Sequence, residues 1–473
     1  MANHGVYISE QATSLGSAPI GVKSGIPFVI GTAPIQSAEL PAKVGVPVLC
    51  TSFDEAKKKL GYSDDWKNYS LCEFMYSHYV LFGMQPVIFV NLLDPEKMNE
   101  TVAAADKDVV NHKIALPIEV INDDNLVVKP AGGTGDAYEK DKDYAVYYTD
   151  GNCYIELLPD GAAYSATSLN VAYKQVTPAS VNAAAVATGM EAIEQCMAVV
   201  GIVPDLICAP GFSDDVAVAA VMATKAAGIN GMFKAKALID ISTVAADDYS
   251  KVIATKNSNN FIDENQIPCW PLLKLGGRVF HMSTQLAGLM SSVDAGNDGC
   301  PYESPSNKAF KCDSMVLGSG EEVILTLQQA NILNAGGVVT ALNFMGSIVC
   351  WGNYTACYPG NTDVKDYFIP VARMFDWVAN TLINTYWSKL DKPMNRRLID
   401  TIIDSCNIWL NGLVGAGYLL GARVEFRESE NPLADLMAGI IRTHIYMTPP
   451  SPAQEIDFVL EYDANYVSSA LQG

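Results

Sequence analysis

Basic residues are scarce in this chain. Lys and Arg number 31 against 52 Asp and Glu, and the net charge over 473 residues is −21. A surface this acidic repels phosphate, which argues against nucleic acid and anionic membranes as partners. Histidine is rarer still, with His4, His78, His112, His281 and His444 the only five. None forms an HExxH pair or lies at ligand spacing from a Cys or carboxylate, so each reads as a core or surface residue and no metal site is expected. The 11 cysteines contain no CxxC, and most sit in apolar runs such as Leu206-Ile207-Cys208-Ala209. They read as buried free thiols in a reducing compartment. The first residues lack a basic segment followed by an apolar one, so no secretory signal is expected. Long apolar spans are missing too. Residues 323–362 and 405–422 carry no charge, but amides and glycines interrupt both. A spanning helix needs ~20 predominantly apolar residues, so both stretches read as core or subunit interface, and no membrane insertion is expected.

The motifs of catalysis are absent as well. The first βα turn is Gly31-Thr32-Ala33-Pro34 rather than GxGxxG, which removes the dinucleotide fingerprint. Gly132-Gly133-Thr134-Gly135 lacks the Lys-Ser/Thr of a phosphate loop and sits among hairpin segments, so it reads as a tight turn. Asp294–Gly299 lacks the ligand alternation of a calcium loop and reads as a turn. No GxSxG occurs, and Ser283, Ser291 and Ser292 have no His/Asp partner visible in the sequence. No catalytic residue, cofactor or metal ligand is therefore assigned.

Hydrophobic residues make up 49% of the chain, enough for about three cores of ~150 residues each. Residues 1–25 read as an arm in which Val6, Tyr7 and Ile8 could form a short strand. Residues 26–96 read as α/β. Ile26–Ile30, Val46–Cys50 and Val87–Val90 are apolar strand segments, and Ser52 caps a helix over Phe53–Leu60. From 97 to 178 charge rises and short strands alternate with turns, over Leu116–Val120, Asn125–Val128, Tyr144–Tyr148 and Cys153–Leu158. This reads as an inserted β-rich domain. Helical composition returns over Val181–Val199. Alternating strands and helices then place 179–360 with the α/β core, including a helix expected from Glu321-Glu322 after Gly318-Ser319-Gly320. Residues 361–452 form a C-terminal α+β domain. Its two amphipathic helices are marked by Phe368, Val371, Phe375, Val378, Leu382 and by Leu398, Ile402, Cys406, Trp409, Leu413. Strands follow over Arg423–Arg427 and Ile441–Met447. Residues 453–473 form a C-terminal arm behind the spacer Thr448–Pro452. There Ile456, Phe458, Leu460 and Tyr462 alternate with Glu455, Asp457, Val459, Glu461 and Asp463. This is the pattern of a half-buried strand with no sequential partner, fit to pair with another molecule.

Several segments resemble a known family, in order and over the whole chain. Gly5–Glu10 is similar to its N-terminal segment, with His4 in place of Pro. Phe82-Gly83 leads into Val87–Val90, and Asp205–Gly211 ends in Ala-Pro-Gly. Ser304–Lys308, Gly336–Val339 and Trp351–Thr355 follow, the last with Tyr354 in place of the usual Arg. Glu430-Asn431-Pro432, Pro449–Pro452 and Glu455–Phe458 complete the series. The chain thus resembles the contractile phage tail sheath family, which includes the sheaths of R-type bacteriocins and related contractile injection systems.

The resemblance implies a structural subunit rather than an enzyme. It would polymerise with itself as stacked hexameric rings around an inner tail tube protein, joined to baseplate and tail terminator proteins. Contraction would then drive the tube through a cell envelope. Assembly in the bacterial host cytoplasm would precede release in a phage virion tail or a bacteriocin particle. The strand-exchange residues are then Val6, Tyr7 and Ile8 in one arm and Ile456, Phe458, Leu460 and Tyr462 in the other. From its position in the C-terminal domain the helix Asn395–Leu413 or its turn is expected to face the tube, and the acidic bias of the 97–178 insertion suggests an exposed outer position. Two other readings stand beside this one: an α/β hydrolase-like enzyme with a lid insertion, and a self-assembling shell protein that does not contract.

Overall fold

The computed structural model of the chain describes residues 21, 23–149 and 151–471. Six short strands build a central sheet in the spatial order Gln266–Cys269, Lys236–Asp240, Leu206–Cys208, Pro27–Gly31, Val87–Asn91 and Val48–Cys50. The first five run parallel, and Val48–Cys50 closes one edge antiparallel to its neighbour. The apolar runs divide by parity between two faces. Phe28, Ile30, Ile88, Val90 and Ile207 pack against Val218, Met222 and Ala226 of the helix Val216–Ala227. Val29, Val87, Phe89, Leu206 and Cys208 pack against Leu286 and Met290 of the helix Met282–Gly296. Burial on both faces is why these strands read as continuous apolar runs instead of alternating ones.

Local signals set the helix ends. The Ser52 hydroxyl accepts from the Glu55 N–H at 3.2 Å and starts the helix Phe53–Leu60. The helix expected over Val181–Val199 is broken into Ala183–Gly189, a tighter 3-10 stretch Met190–Gln195, and Cys196–Val200. Ala183–Val200 is long and apolar enough to cross a membrane by length and composition. Here its Val186, Met190, Ile193 and Cys196 are buried in the core, and its Glu191 and Glu194 pair with Lys225 at 2.7 and 2.9 Å. The helix expected at Glu321-Glu322 is absent. Glu322–Val323 is an edge strand, and the helix starts later, at Leu327, behind a Thr326–Gln329 capping box. Glu321 and Glu322 carry charge without a cap, whereas Thr326 supplies the side-chain acceptor that satisfies an orphan N–H.

Between Val87–Asn91 and Leu206–Cys208 the chain forms two three-stranded antiparallel sheets. One orders Asn99–Asp108, Ser168–Val176 and Val127–Pro130, and the other Lys113–Pro117, Asn152–Leu157 and Tyr144–Thr149. Their inner faces meet around Ile114, Leu116, Val128, Ile155, Leu157, Leu169 and Val171. The strand expected over Leu116–Val120 is shifted to Lys113–Pro117, because beyond Pro117 the chain turns and the Val120 N–H returns to the Pro117 carbonyl at 3.2 Å. Gly132, in the suspected glycine loop, donates its N–H to the Asp106 carboxylate at 3.0 Å. A carboxylate therefore stands where a phosphate would have to bind.

The C-terminal part pairs two long helices, Ile369–Tyr386 and Arg396–Gly415, with a hairpin of Gly421–Glu425 and His444–Thr448. Met374, Trp377, Val378, Cys406, Leu410, Leu413 and Val424 form its core. All 11 cysteines are free thiols, and Cys312 alone is not buried.

Candidate assembly surfaces

In the hairpin, Ala422, Val424, Ile445 and Met447 face the helices, while Arg423, Glu425, His444 and Tyr446 face outward. The outward face carries a short charge ladder. The Arg423 and Arg427 guanidinium groups lie 3.6 and 4.9 Å from the centre of the Tyr446 ring. Arg423 pairs with Glu425 at 2.7 Å, and Glu430 takes both Arg427 at 3.0 Å and His444 at 2.8 Å. The hairpin has only two strands, so each has one side without a strand partner.

The C-terminal arm leaves the core from a polar groove of about 590 Å³. Tyr354 stacks on Tyr358 with ring centres 4.1 Å apart and donates its hydroxyl to Gln454 Oε1 at 2.6 Å. Beyond that tether the arm is bare. Ile456, Phe458, Leu460 and Tyr462 are 69, 84, 95 and 80% exposed. The strand expected over Ile456–Tyr462 does not form within the single chain, which places no second strand beside it, and the helix Ala464–Leu471 follows. Val6, Tyr7 and Ile8 lie outside the described residues.

The root of the N-terminal arm is held by charge. Gly25 and Ile26 donate their N–H groups to the Asp205 carboxylate at 2.9 and 2.6 Å. The Ser24 hydroxyl donates to Asp294 Oδ2 at 2.8 Å, and the Ser291 hydroxyl donates to the Gly25 carbonyl at 2.7 Å. Gly25 has φ +73°, and an added Cβ would stand 2.7 Å from the Ser291 Cα, so glycine is required there. The same two carboxylates bind Arg373 of the helix Ile369–Tyr386. Arg373 Nη1 lies 3.0 Å from Asp294 Oδ1, and Nη2 lies 3.0 Å from Asp205 Oδ2. Asp294 is fully buried and Arg373 almost so. Burial pushes the Asp294 carboxyl above the usual carboxylate range against the pull of Arg373. Two further ties join the same helix to the core. Lys236 pairs with Asp376 at 2.9 Å, and the Asn380 amide bonds both the N–H and the carbonyl of Lys234, at 2.9 and 2.8 Å. Asp294, weighed above as part of a calcium turn, is thus an ion-pair partner.

Two histidines have carboxylate partners that sequence spacing could not reveal. His281 Nδ1 lies 2.8 Å from buried Glu73, 208 positions away, and His444 pairs with Glu430. Burial opposes the charged form of His281, yet Glu73 outweighs it and lifts the imidazole to about 10. His78 is fully buried against Phe74 without a hydrogen-bond partner, and burial drives it down to about 3. Ser283 likewise has an acidic partner, since Asp240 accepts its hydroxyl together with that of Ser213 at 2.8 Å. Among the described residues no group of three or more His, Cys, Asp or Glu side chains is placed to hold a metal ion.

No family model matches the chain. It is 28% identical to the tail sheath protein of Burkholderia phage BcepMu, over 98% of this chain and 97% of that protein. It is 26% identical to the tail sheath protein of Escherichia phage P2, over 60% of this chain and 70% of that one. Its fold matches the anti-feeding prophage helical sheath in its contracted state with a TM-score of 0.58 at 16% identity, covering 98% of this chain and 100% of that one. Relatives and fold both point to the contractile tail sheath family.

Three of the segments that carry the resemblance to sheath proteins meet at one place. The Asn307 N–H donates to the Cys350 carbonyl at 2.7 Å, and the Gly352 N–H donates to the Ser306 hydroxyl at 3.1 Å. Ser304 bonds Asn353, and Tyr354 holds Gln454. Residues of Ser304–Lys308, Trp351–Thr355 and Glu455–Phe458 thus line the groove from which the C-terminal arm departs. Tyr354 serves that groove by stacking and by its hydroxyl.

Proposed function

We propose that this protein is the structural subunit of a contractile tail sheath, polymerising around an inner tube and contracting to drive that tube through a target envelope. The observation that carries the reading is the C-terminal arm. Four large apolar side chains alternate with acidic ones, bare in the single chain, in a molecule that also presents an open-edged two-stranded hairpin. Both features are incomplete alone and are completed by copies of the same chain, which is strand addition between molecules. A head-to-tail contact of this kind closes into a ring where its rotation allows and otherwise propagates as a helix, so it serves both within rings and between them. The kinship with tail sheath proteins over nearly the whole chain supports the same reading.

In this reading Val6–Ile8 and Ile456–Tyr462 are the mesh strands. The rings are hexameric, and the further partners are an inner tube protein, a baseplate and a tail terminator. Subunits assemble in the bacterial cytoplasm and end in a virion tail or a bacteriocin particle. The helix Asn395–Leu413 or its turn faces the tube, and the 97–178 insertion lies outermost. The arms keep neighbours linked while rigid bodies repack between two states, with the extended state held kinetically.

Electron microscopy of the purified chain and of a chain lacking residues 1–20 tests this. Striated hollow cylinders are expected from the first, and folded monomers that do not polymerise from the second. Normal cylinders from the shortened chain would remove the N-terminal arm from the mesh. Compact monomers from the full chain at high concentration, even with tube protein present, would remove the sheath reading altogether.

A further inference from the structure

Two features of the α/β core lie at opposite ends of its central sheet. The first is a hairpin tip. Val339 bridges Cys269 in parallel, so Thr340–Asn343 runs on past Cys269, the last residue of its strand, before the chain returns through Ile348–Trp351. The turn 343–347 therefore projects beyond the carboxyl end of the sheet. All of its residues are exposed, Phe344 by 65% and Met345 by 89%. Turns favour Gly, Asn, Asp, Ser and Pro. Asn343, Ser347 and Gly346, whose φ is +88°, supply that chemistry here, whereas Phe344 and Met345 serve neither turn nor core. The base of the tip is fixed, because Phe310 donates its N–H to the Ile348 carbonyl at 3.0 Å and Cys350 donates to the Lys308 carbonyl at 2.9 Å. The second feature is a pocket of about 550 Å³. Ile26, Asp205 and Lys236 line it, each at or just before the first residue of the parallel strands Pro27–Gly31, Leu206–Cys208 and Lys236–Asp240. The pocket thus lies under the amino end of the sheet. Met197, Ile202, Val203, Phe233 and Trp377 give it apolar walls. Arg373 pairs there with Asp205 at 3.0 Å and Lys236 with Asp376 at 2.9 Å.

We propose that Phe344 and Met345 of one copy seat in this pocket of a second copy, a head-to-tail contact between core domains. The proposal rests on the self-assembly read above and adds a contact made by rigid elements instead of arms. Three observations select this occupant. First, a tip at one end of the sheet and a pocket at the other are brought together by displacing one copy along the strands of its neighbour. Two different patches then meet, which is what a heterologous contact requires. Second, the chemistry matches. Two large apolar side chains, bare on their own chain, meet apolar walls whose neighbouring charges are already paired. Because the tip is held at its base, little ordering is lost on docking. Third, charge favours it. Copies of net charge −21 repel one another, and the tip belongs to the stretch 323–362, which carries no charge at all. The rival occupant of the pocket is residues 1–20, since Lys23 and Ser24 border it.

The experiment uses the full-length protein, assembled. A benzophenone amino acid replaces Met345, and this chain is co-assembled with isotope-labelled chain that lacks the probe. Irradiation is expected to join position 345 to labelled peptides containing residues 197–203 or 233, at least ten-fold more in polymers than in unassembled protein. Adducts to other segments only, or within one chain only, would overturn the proposal. A probe in place of Val203 reads the contact from the pocket side. Adducts to the peptide containing residues 343–347 are expected, and adducts to residues 1–20 in their place would give the pocket to the arm and overturn the proposal. Assembly gives a second readout. Met345→Asp is expected to raise the critical concentration for polymers at least ten-fold with unchanged melting, because the side chain is almost wholly exposed. Val110→Asp, the same change at a 66% exposed residue of the 97–178 insertion, is expected to leave that concentration unaltered. Equal effects from the two would deny the tip a special role and overturn the proposal. The unaltered chain with tube protein separates the two levels. If it forms no polymer, the sheath reading falls and the proposal with it. If it polymerises and Met345→Asp does so equally well, only the proposal falls.

Discussion

Replacing Arg373 by Met should loosen, at once, the hold of the helix Ile369–Tyr386 on the core and the anchoring of residues 24–26. Among the described residues Arg373 is the only cation bonded to the buried Asp294 carboxylate, which otherwise keeps the Ser24 hydroxyl. Asp205 fares better, because the Gly25 and Ile26 N–H groups remain. Removing one partner of a buried ion pair costs about 3–5 kcal/mol, mostly from the charge left behind. At ~1.36 kcal/mol per factor of ten, hydrogen exchange in the helix Ile369–Tyr386 and at residues 23–26 should accelerate together, by roughly two to four powers of ten. The loss should also depend on pH. The Asp294 carboxyl already lies above its ordinary value, and without Arg373 it rises further. A carboxyl whose folded pKa exceeds its unfolded one binds its proton more tightly when folded, so stability falls as pH rises through that window. The Arg373→Met deficit should therefore be smaller near pH 5 than near pH 8. Acceleration below ten-fold, acceleration in the helix without the arm root, or a deficit independent of pH would each refute the account of a shared ionic junction.

Tyr354→Phe keeps the ring stack but loses the bond to Gln454, so about 0.5–1.5 kcal/mol should go, seen as faster proteolysis near residue 454 with unchanged global melting. Leu410→Ala empties a fully buried position of the C-terminal core and should cost about 2–5 kcal/mol, read by exchange confined to residues 369–448. Thr326→Ala removes one half of a capping box and should destabilise the helix Leu327–Ala335 by about 0.5–2 kcal/mol. Buried Lys256, held near 8 by desolvation while donating to the Ala356 carbonyl at 2.7 Å, binds its proton less tightly folded than unfolded. Stability should rise between pH 8 and 10 by about 2 kcal/mol at most, and Lys256→Met should flatten that rise in urea titrations.

The core sheet was legible because its strands are short apolar runs bounded by turns, and Ser52 marks a helix start by chemistry local to the sequence. Glu321-Glu322 misled for a related reason. Acidic residues suit a helix start, but the satisfied cap at Thr326 decided where the helix begins. The charge junctions were not legible at all. Arg373 lies 79 positions from Asp294 and 168 from Asp205, and Glu73 lies 208 from His281. Only the folded topology brings such pairs together, and no spacing rule can anticipate them. Asn407 was hidden differently. In the sequence it is one amide interrupting an amphipathic helix, and only the folded hairpin shows it taking the Val424 N–H at 2.9 Å and donating to the Val424 carbonyl at 3.3 Å.

The arm itself sets a limit on how assembly can begin. Burying four large apolar side chains yields about 1.5–3 kcal/mol each, and fixing the backbone over residues 456–463 costs about 1–2 kcal/mol per residue. The two terms nearly cancel, so one arm in one neighbour's hairpin is a marginal contact. Stable assembly then needs each subunit to be held at more than one place, so that later contacts form at high effective concentration. The anchored roots serve this. Tyr354 fixes where one arm departs, and the Asp205–Asp294–Arg373 junction fixes the other, so a docked neighbour presents its second contact at a defined position. A free peptide of residues 453–473 should therefore bind the chain weakly, with a Kd of millimolar or weaker, while the full chain polymerises above a sharp critical concentration. Micromolar binding of the peptide would mean that a single arm suffices, and the requirement for several simultaneous contacts would fall.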